Sequence, residues 1–554
     1  MRGYLALSWA TKDLAAARLA RAMRDRARLE GYVELASTAT SWVGSCGPNA
    51  PRAFAPRAGA FVIGEVFIHP DAEPGVVEEA SDSAWAAWFA RNRWGRYVIL
   101  FQEPGGAVRA VFRDPSGALS AYAWSAKGVQ VVASGAPDWL MALAPPDISF
   151  DWLRVRRLVE APFEFAGPSP LNGLNSVAPG ALQVVGGPST ALWSPERIAA
   201  SASLDPDASR RQLRERLDVC VAALAGRRAL GVELSGGLDS SIVAGAARAL
   251  GLPASLALNT RAQEPETDER RFARAVAERI GAPLTERLRE EAPWSAEAFE
   301  ATAGDPLPSQ NGRDLANDIM VADACREAGV EVLLTGKGGD ALFFQTPTPL
   351  VFADLWWAQP FRSLFSAHLP GVARWTRSSA WSLLGAAIES RRKSGPDDLP
   401  PAKRLQITSI TSGLAYYSAC RRLEAVDMVH PLMAQPLVEW ALRTPVPMLA
   451  PAGRERGLAR EVFADRIPAA VATRRDKADY AACFNRQAAR NLPFLRAYLL
   501  DGRLAAEGVL DRAGLEARLT EDALRWRGGA AQILAAVSVE AWVRRWMGRR
   551  VGGR

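Results

Sequence analysis

The sequence predicts a multidomain α/β protein: a β-rich sandwich over residues 1–200, then a helix-covered parallel sheet with many further helices over residues 201–554. Three observations carry this reading. The chain is 554 residues long, and at roughly 150 residues per domain that means two or three cores. The first part is built of short apolar or alternating runs punctuated by Gly and Pro. From residue 207 onward, strand-like and helix-spaced patterns alternate instead.

Taken in order, the strands of the first part fall at 60–68, 97–101, 107–112, 128–133 and 181–185. Turn sequences separate them, Pro104-Gly105-Gly106 and Asp114-Pro115-Ser116-Gly117 among them. The second part begins with a helix in which Leu213, Leu217, Val221 and Leu224 recur at helical spacing. Strands follow at 229–234, 254–258 and 330–334, with helices at 269–280 and 315–328 between them. That alternation belongs to a parallel sheet. Residues 349–401 read as helical and rich in large aromatics, and the remainder as mostly helix.

Composition excludes several classes. Hydrophobic residues make up 49% and charged residues 23% of the chain, ordinary values for a folded globular protein. No run approaches about 18 apolar residues, and Lys12 and Asp13 interrupt the start before a secretory core forms. A cytoplasmic location without membrane association is therefore expected. Cys46, Cys220, Cys325, Cys420 and Cys483 are scattered and odd in number, which suggests neither a disulfide framework nor a zinc site. Three histidines leave little material for a metal cluster or a proton relay. The net charge of +7 comes almost wholly from arginine, since only six lysines are present. With no basic block interleaved with aromatics, these read as solvated arginines rather than a nucleic-acid surface.

One motif carries chemistry. The predicted strand 229–234 runs into Ser235-Gly236-Gly237-Leu238-Asp239-Ser240-Ser241, and a helix begins at once. Two glycines let backbone N–H groups turn inward, Ser235, Ser240 and Ser241 add hydroxyl donors, and the helix N-terminus supplies positive dipole. That is an anion cradle, reaching from Leu234 to Ser241. It differs from the Gly-x-x-x-x-Gly-Lys loop because no lysine follows, so positive charge has to come from magnesium and a distant lysine.

On these residues the chain resembles the pyrophosphate-loop ATP hydrolases, and more narrowly the asparagine synthetase superfamily, whose members adenylate a carboxylate and then form an amide. Trp94-Gly95-Arg96-Tyr97, Arg113-Asp114-Pro115-Ser116-Gly117 and Val177-Ala178-Pro179-Gly180 resemble that family's glutaminase-like (Ntn-type) domain. Gly336-Lys337-Gly338-Gly339-Asp340-Ala341-Leu342-Phe343 resembles its second loop, and Arg475-Asp476-Lys477 its late lysine motif. The resemblance implies ATP as cosubstrate, held by Leu234, Ser235, Gly236, Gly237, Asp239, Ser240, Ser241 and Gly336. It implies Mg2+ between Asp239 and Asp340, each expected at the carboxyl end of a parallel strand. Lys477 would neutralise charge on the adenylate and the tetrahedral intermediate.

The chain also departs from the family. Arg2 stands where the glutaminase nucleophile, an N-terminal cysteine, is expected, so glutamine hydrolysis is not expected and the attacking amine belongs to the substrate. Lys337 occupies the place of Glu in asparagine synthetases and Tyr in β-lactam synthetases. A lysine there suits either binding of the substrate carboxylate or base catalysis. Asp427-Met428-Val429-His430-Pro431-Leu432 lacks the arginine of the family's Glu-x-Arg-x-Pro-Phe, which disfavours free aspartate as substrate. Together with residues 437–445 and 454–461, this region looks most like the lasso-peptide cyclases. These join a precursor peptide's N-terminal amine to an Asp or Glu side chain and act with a leader-binding protein and a leader peptidase. A β-lactam-synthetase-like small-molecule ligase and a non-catalytic nucleotide-binding scaffold are the rival readings. The aromatics Phe352, Trp356, Trp357, Phe361, Phe365, Trp375 and Trp381 fit a helical core better than a peptide groove.

Overall fold

The computed structural model describes residues 3–551 apart from 48–49, 76–79, 162–167, 202–204, 265–267, 290–291, 310, 396, 476–479 and 527–528. The N-terminal part stacks two six-stranded sheets. One is centred on Gly3–Trp9, flanked by Ser41–Cys46 and Val129–Ala133. The other is centred on Arg93–Gln102 and Val108–Arg113, with Ala60–Ile68 beside them. Alternation along the strands builds the layers. Tyr4, Ala6 and Val43 of the first sheet pack on Ile63, Val98 and Leu100 of the second, whereas Leu5 and Leu7 face the opposite way. Each outer face carries a helix. Leu14–Leu29 covers the first sheet through Ala16, Ala20, Met23 and Ala27. Asp82–Asn92 covers the second through Trp85 and Phe89. These helices do not appear in the sequence reading, because the first buries an alanine-dominated stripe that gives little apolar contrast.

The second part opens with Pro206–Ala225, whose start is fixed by Asp205 accepting from the amides of Asp207 and Ala208 and by Pro206 in the first turn. Its parallel sheet has five strands: Leu230–Glu233, Ala254–Arg261, Leu284–Leu288, Val332–Leu334 and Asp427–Val429. Spatially they run third, second, first, fourth, fifth, and every pairing is parallel. The chain therefore reverses its direction of winding between the first and fourth strands, leaving a crevice beyond their carboxyl ends. The two edge strands are absent from the sequence reading: Leu284–Leu288 is half polar, and Asp427–Val429 is three residues long.

One hydrophobic core is shared by the two parts. The late helices Leu492–Leu500 and Ala530–Val551 bury Leu495, Leu499, Val537, Trp542 and Trp546 against Leu5, Leu7, Leu140 and Val155 of the N-terminal part. Polar ties fix the same junction. Arg96 donates to both oxygens of Asp427 at 2.9 and 2.8 Å, and Arg228 adds a bond at 2.6 Å. Arg216 grips Asp71 at 2.7 Å, and Trp193 Nε1 donates to Glu439 Oε1 at 2.8 Å. Among the described residues no helix is long and apolar enough to cross a membrane.

Candidate active site

The first loop leaves the strand Leu230–Glu233 and enters the helix Leu238–Ala249, which is buried from Leu238 to Ala247. Gly236 sits at φ +79°, and a Cβ there would meet the Glu269 carbonyl at 2.7 Å, so only glycine makes this turn. No side chain caps the helix at Gly237, which leaves its first-turn amides facing the crevice end of the sheet. Ser235 and Ser240 lie hydroxyl to hydroxyl at 3.2 Å, while Ser241 Oγ donates to the Gly237 carbonyl at 2.7 Å. Leu234 is committed to the sheet: its amide donates to Leu258, its carbonyl accepts from Asn259 Nδ2 at 2.6 Å, and its side chain is core.

The second loop follows the strand Val332–Leu334 and passes so close to the first that a Cβ on Gly336 would stand 2.4 Å from the Ser240 amide nitrogen. The switch-point topology makes these two loops neighbours. Asp239, in the first turn of its helix, and Asp340, in the short helix Gly339–Leu342, then converge on one group that the sequence reading missed. Arg456 Nη1 donates to Asp239 Oδ2 and to Asp340 Oδ1, each at 2.8 Å. Arg456 has only 2% of its side chain exposed, against 10% for Asp239 and 57% for Asp340. Burial disfavours the guanidinium charge, yet Asp239, Glu455 and Asp340 hold its pKa above the ordinary value.

Two carboxylates drawn onto one cation are a donor set that suits magnesium. Among the described residues no cluster of three or more His, Cys, Asp or Glu side chains forms a protein-only metal cage. Asp239 and Asp340 would therefore hold the ion together with phosphate oxygens, the usual arrangement for Mg2+.

Behind the second loop lies a second charged cluster. Lys337 Nζ stands over the Tyr416 ring at 5.3 Å. Burial lowers its pKa, and Arg422 lowers it further while Glu233 partly offsets both. Arg422 is held between Asp318 at 2.6 Å and Glu233 at 3.0 Å, and Glu233 is kept below its ordinary pKa by Arg422 and Lys337 despite burial. The Lys337 amide donates to Thr335 Oγ1, which pairs with His430 Nδ1 at 2.7 Å. Burial and the nearby Lys337 charge push the His430 ring down to about 3.

The structure thus brings together Ser235, Gly236, Gly237, Asp239, Ser240, Ser241, Gly336, Lys337 and Asp340. Lys477 lies outside the described residues, as does Arg2. The segment leading to Lys477 is anchored beside the first loop, where Arg474 pairs with Glu269 and stacks over Phe272 at 4.1 Å. Sequence reasoning missed Arg422 and Arg456 because arginine is so common here that neither stands out. The aromatic segment divides: Phe352 is fully buried, while Phe361, Phe365 and Trp381 are 80%, 92% and 82% exposed. The core assignment therefore holds for the first and not for these three.

Residues 212–544 match the family described as asparagine synthase. No curated protein sequence matches the chain. Among solved structures, NMN synthetase from Francisella tularensis aligns at 18% identity with a TM-score of 0.17, covering 24% of this chain and 54% of its own. Glutamine phosphoribosylpyrophosphate amidotransferase from B. subtilis, complexed with ADP and GMP, aligns at 11% identity with a TM-score of 0.18. It covers 60% of this chain and 81% of its own. The chain thus spans about half the length of the first of these relatives.

Proposed function

Because the chain belongs to the asparagine synthase family, whose members are ATP-dependent amide ligases, we propose that it is an AMP-forming peptide cyclase of the lasso type. The observation that carries this reading is the meeting of Asp239 and Asp340 on one cationic point at the switch-point crevice, beside an open helix N-terminus. An Asp or Glu side-chain oxygen of a precursor peptide attacks the α-phosphorus of ATP and pyrophosphate leaves. The peptide's N-terminal nitrogen then attacks the acyl carbon, AMP leaves with the bonding electrons, and the nitrogen gives up its proton. Mg2+ supplies charge neutralisation on the triphosphate. The first-loop amides cradle phosphate, and Lys337, with its lowered pKa, takes the proton from the amine. Lys477 balances charge on the adenylate. Holding the peptide prefolded makes ring closure a matter of proximity, and a leader-binding protein and a leader peptidase act alongside.

The test is nucleotide turnover by the purified protein with and without a precursor peptide and its peptidase. AMP and pyrophosphate that require peptide, with loss of one water from the peptide mass, are expected. AMP formed with small β-amino acids and not with peptide would replace this reading by a β-lactam-synthetase type, and no nucleotide cleavage would leave a scaffold.

A further inference from the structure

Asp340 sits in a helix of four residues, Gly339–Leu342, too short to hold itself in place. The last carbonyls of any helix have no amide of their own helix to accept from. The chain then leaves through Phe344 at φ +64°, a left-handed conformation that a buried aromatic adopts only under constraint. Arg456, which grips the Asp340 carboxylate, is left-handed too, at φ +51°, and its amide donates to the Phe344 carbonyl at 3.4 Å. Such backbone persists where its surroundings over-determine it.

The helix Pro401–Ser412 supplies the missing donor. Gln406, fully buried, donates from Nε2 to the Leu342 carbonyl at 3.1 Å and to the Ala341 carbonyl at 3.5 Å. Its Oε1 accepts from Lys403 Nζ at 2.6 Å, and because an ammonium only donates, this fixes which end of the amide faces the loop. Lys403 directs two further bonds to carbonyls at the end of helix Gln435–Arg443, Ala441 at 2.9 Å and Thr444 at 2.7 Å. Asp354, from helix Leu350–Ala358, pins the start of the supporting helix by accepting from the amides of Ala402 and Lys403 at 2.7 and 3.1 Å. Further along, Ser409 and Ser412 line a cavity of about 310 Å³ that Asp340 also borders, walled in part by Pro115 and Pro179 of the N-terminal part. A buried ammonium in the first turn of a helix is costly, through desolvation and through the positive end of the helix dipole. An apolar side chain would pack there without that cost, but would leave the Gln406 amide free to turn.

We propose that Gln406 is a positioning residue for Asp340: its amide, oriented by Lys403, fixes the end of the four-residue helix and so places the carboxylate where it meets Asp239. This rests on the reading of the two loops as a centre that holds metal and nucleotide.

The two ends of the amide can be tested apart. Gln406→Glu still accepts from Lys403 but has nothing to donate to Leu342, whereas Gln406→Met keeps the volume and loses both bonds. Two quantities are measured on the full chain. One is hydrogen–deuterium exchange, by mass spectrometry, of peptides spanning residues 338–344 and 435–443. The other is affinity for Mn2+ with α,β-methylene-ATP by electron paramagnetic resonance, with Asp239→Asn as the reference for a broken site. In Gln406→Glu, exchange of 338–344 is expected to quicken at least about fivefold, the size of one ordinary hydrogen bond, while 435–443 keeps its wild-type rate. The metal complex is expected to bind at least about fivefold more weakly. Gln406→Met is expected to show the same two losses, and it decides if a thermal melt shows that the buried carboxylate unfolds the protein. Unchanged exchange at 338–344 overturns the clamp. Faster exchange with unchanged binding of the metal complex leaves Gln406 a core residue and overturns the positioning role. Wild-type binding no tighter than that of Asp239→Asn removes the centre itself, and the positioning role with it, whatever the exchange shows.

Discussion

Arg456 occupies the point where a divalent cation would neutralise Asp239 and Asp340, and that makes it a competitor for the metal. Replacing it with Met keeps an apolar stem in its buried position and removes the guanidinium. Each charge-assisted hydrogen bond is worth about 1.5–3 kcal/mol when buried. The bond to Asp239 counts in full, since both side chains are buried. The bond to Asp340 reaches a side chain 57% exposed, where solvent screening reduces it to about 0–1 kcal/mol. A cation entering between the carboxylates of the wild-type protein therefore displaces about 1.5–4 kcal/mol of interaction, and in Arg456→Met it displaces none. At 1.4 kcal/mol per factor of ten, Mn2+ used as a spectroscopic substitute for Mg2+ should bind the nucleotide-free variant about 10–700-fold more tightly. An electron paramagnetic resonance titration of free Mn2+ reads this directly, with Asp239→Asn as the control that weakens binding in either background. Equal Mn2+ affinity in wild type and variant, or weaker affinity in the variant, would refute the idea that guanidinium and metal share one site.

Gly336→Ala places a methyl 2.4 Å from the Ser240 amide nitrogen, so the two loops must separate; nucleotide turnover should fall by at least about a hundredfold (about 2.8 kcal/mol at 1.4 per tenfold) while far-UV circular dichroism is unchanged. Arg96→Met leaves Asp427, itself 5% exposed, with Arg228 as its remaining arginine. Loss of a buried bidentate pair costs about 3 kcal/mol or more, and limited proteolysis should cut between the N-terminal part and the synthetase part sooner than in wild type. His430 is kept neutral, its pKa pushed from 6.5 down to about 3. The unfolded chain takes up a proton there between these values and the folded chain does not, so this contribution is complete above pH 6.5 and is lost as pH falls toward 3. It amounts to up to roughly 5 kcal/mol. His430→Gln should flatten the loss of stability between pH 7 and 4.5 in denaturant unfolding, and an unchanged slope would exclude His430 as its source.

How much of this was legible beforehand follows from the range of the interactions. The strand 60–68, the helix spacing of Leu213, Leu217, Val221 and Leu224, and the Ser235–Ser241 turn are local patterns, set by side-chain alternation, helical period and glycine geometry within a few residues. Those patterns can be read along the chain. The edge strands Leu284–Leu288 and Asp427–Val429 cannot, because an edge strand is half solvated and carries little apolar signal. Helix Leu14–Leu29 was hidden for a related reason, its buried stripe being mostly alanine.

By itself the sequence determined the anion cradle, the alternation that makes a parallel sheet, and the residue types of the two carboxylates, since each is written in consecutive residues. Only the tertiary structure decided that Asp239 and Asp340 share one partner, that this partner is Arg456 from more than a hundred residues further on, and that loops of the N-terminal part wall a cavity beside them. The strand order decides which loops meet at the crevice, and the burial of Arg456 decides that one arginine among so many is held between two carboxylates. Neither the pairing of distant strands nor the exclusion of water is encoded in any short stretch of chain.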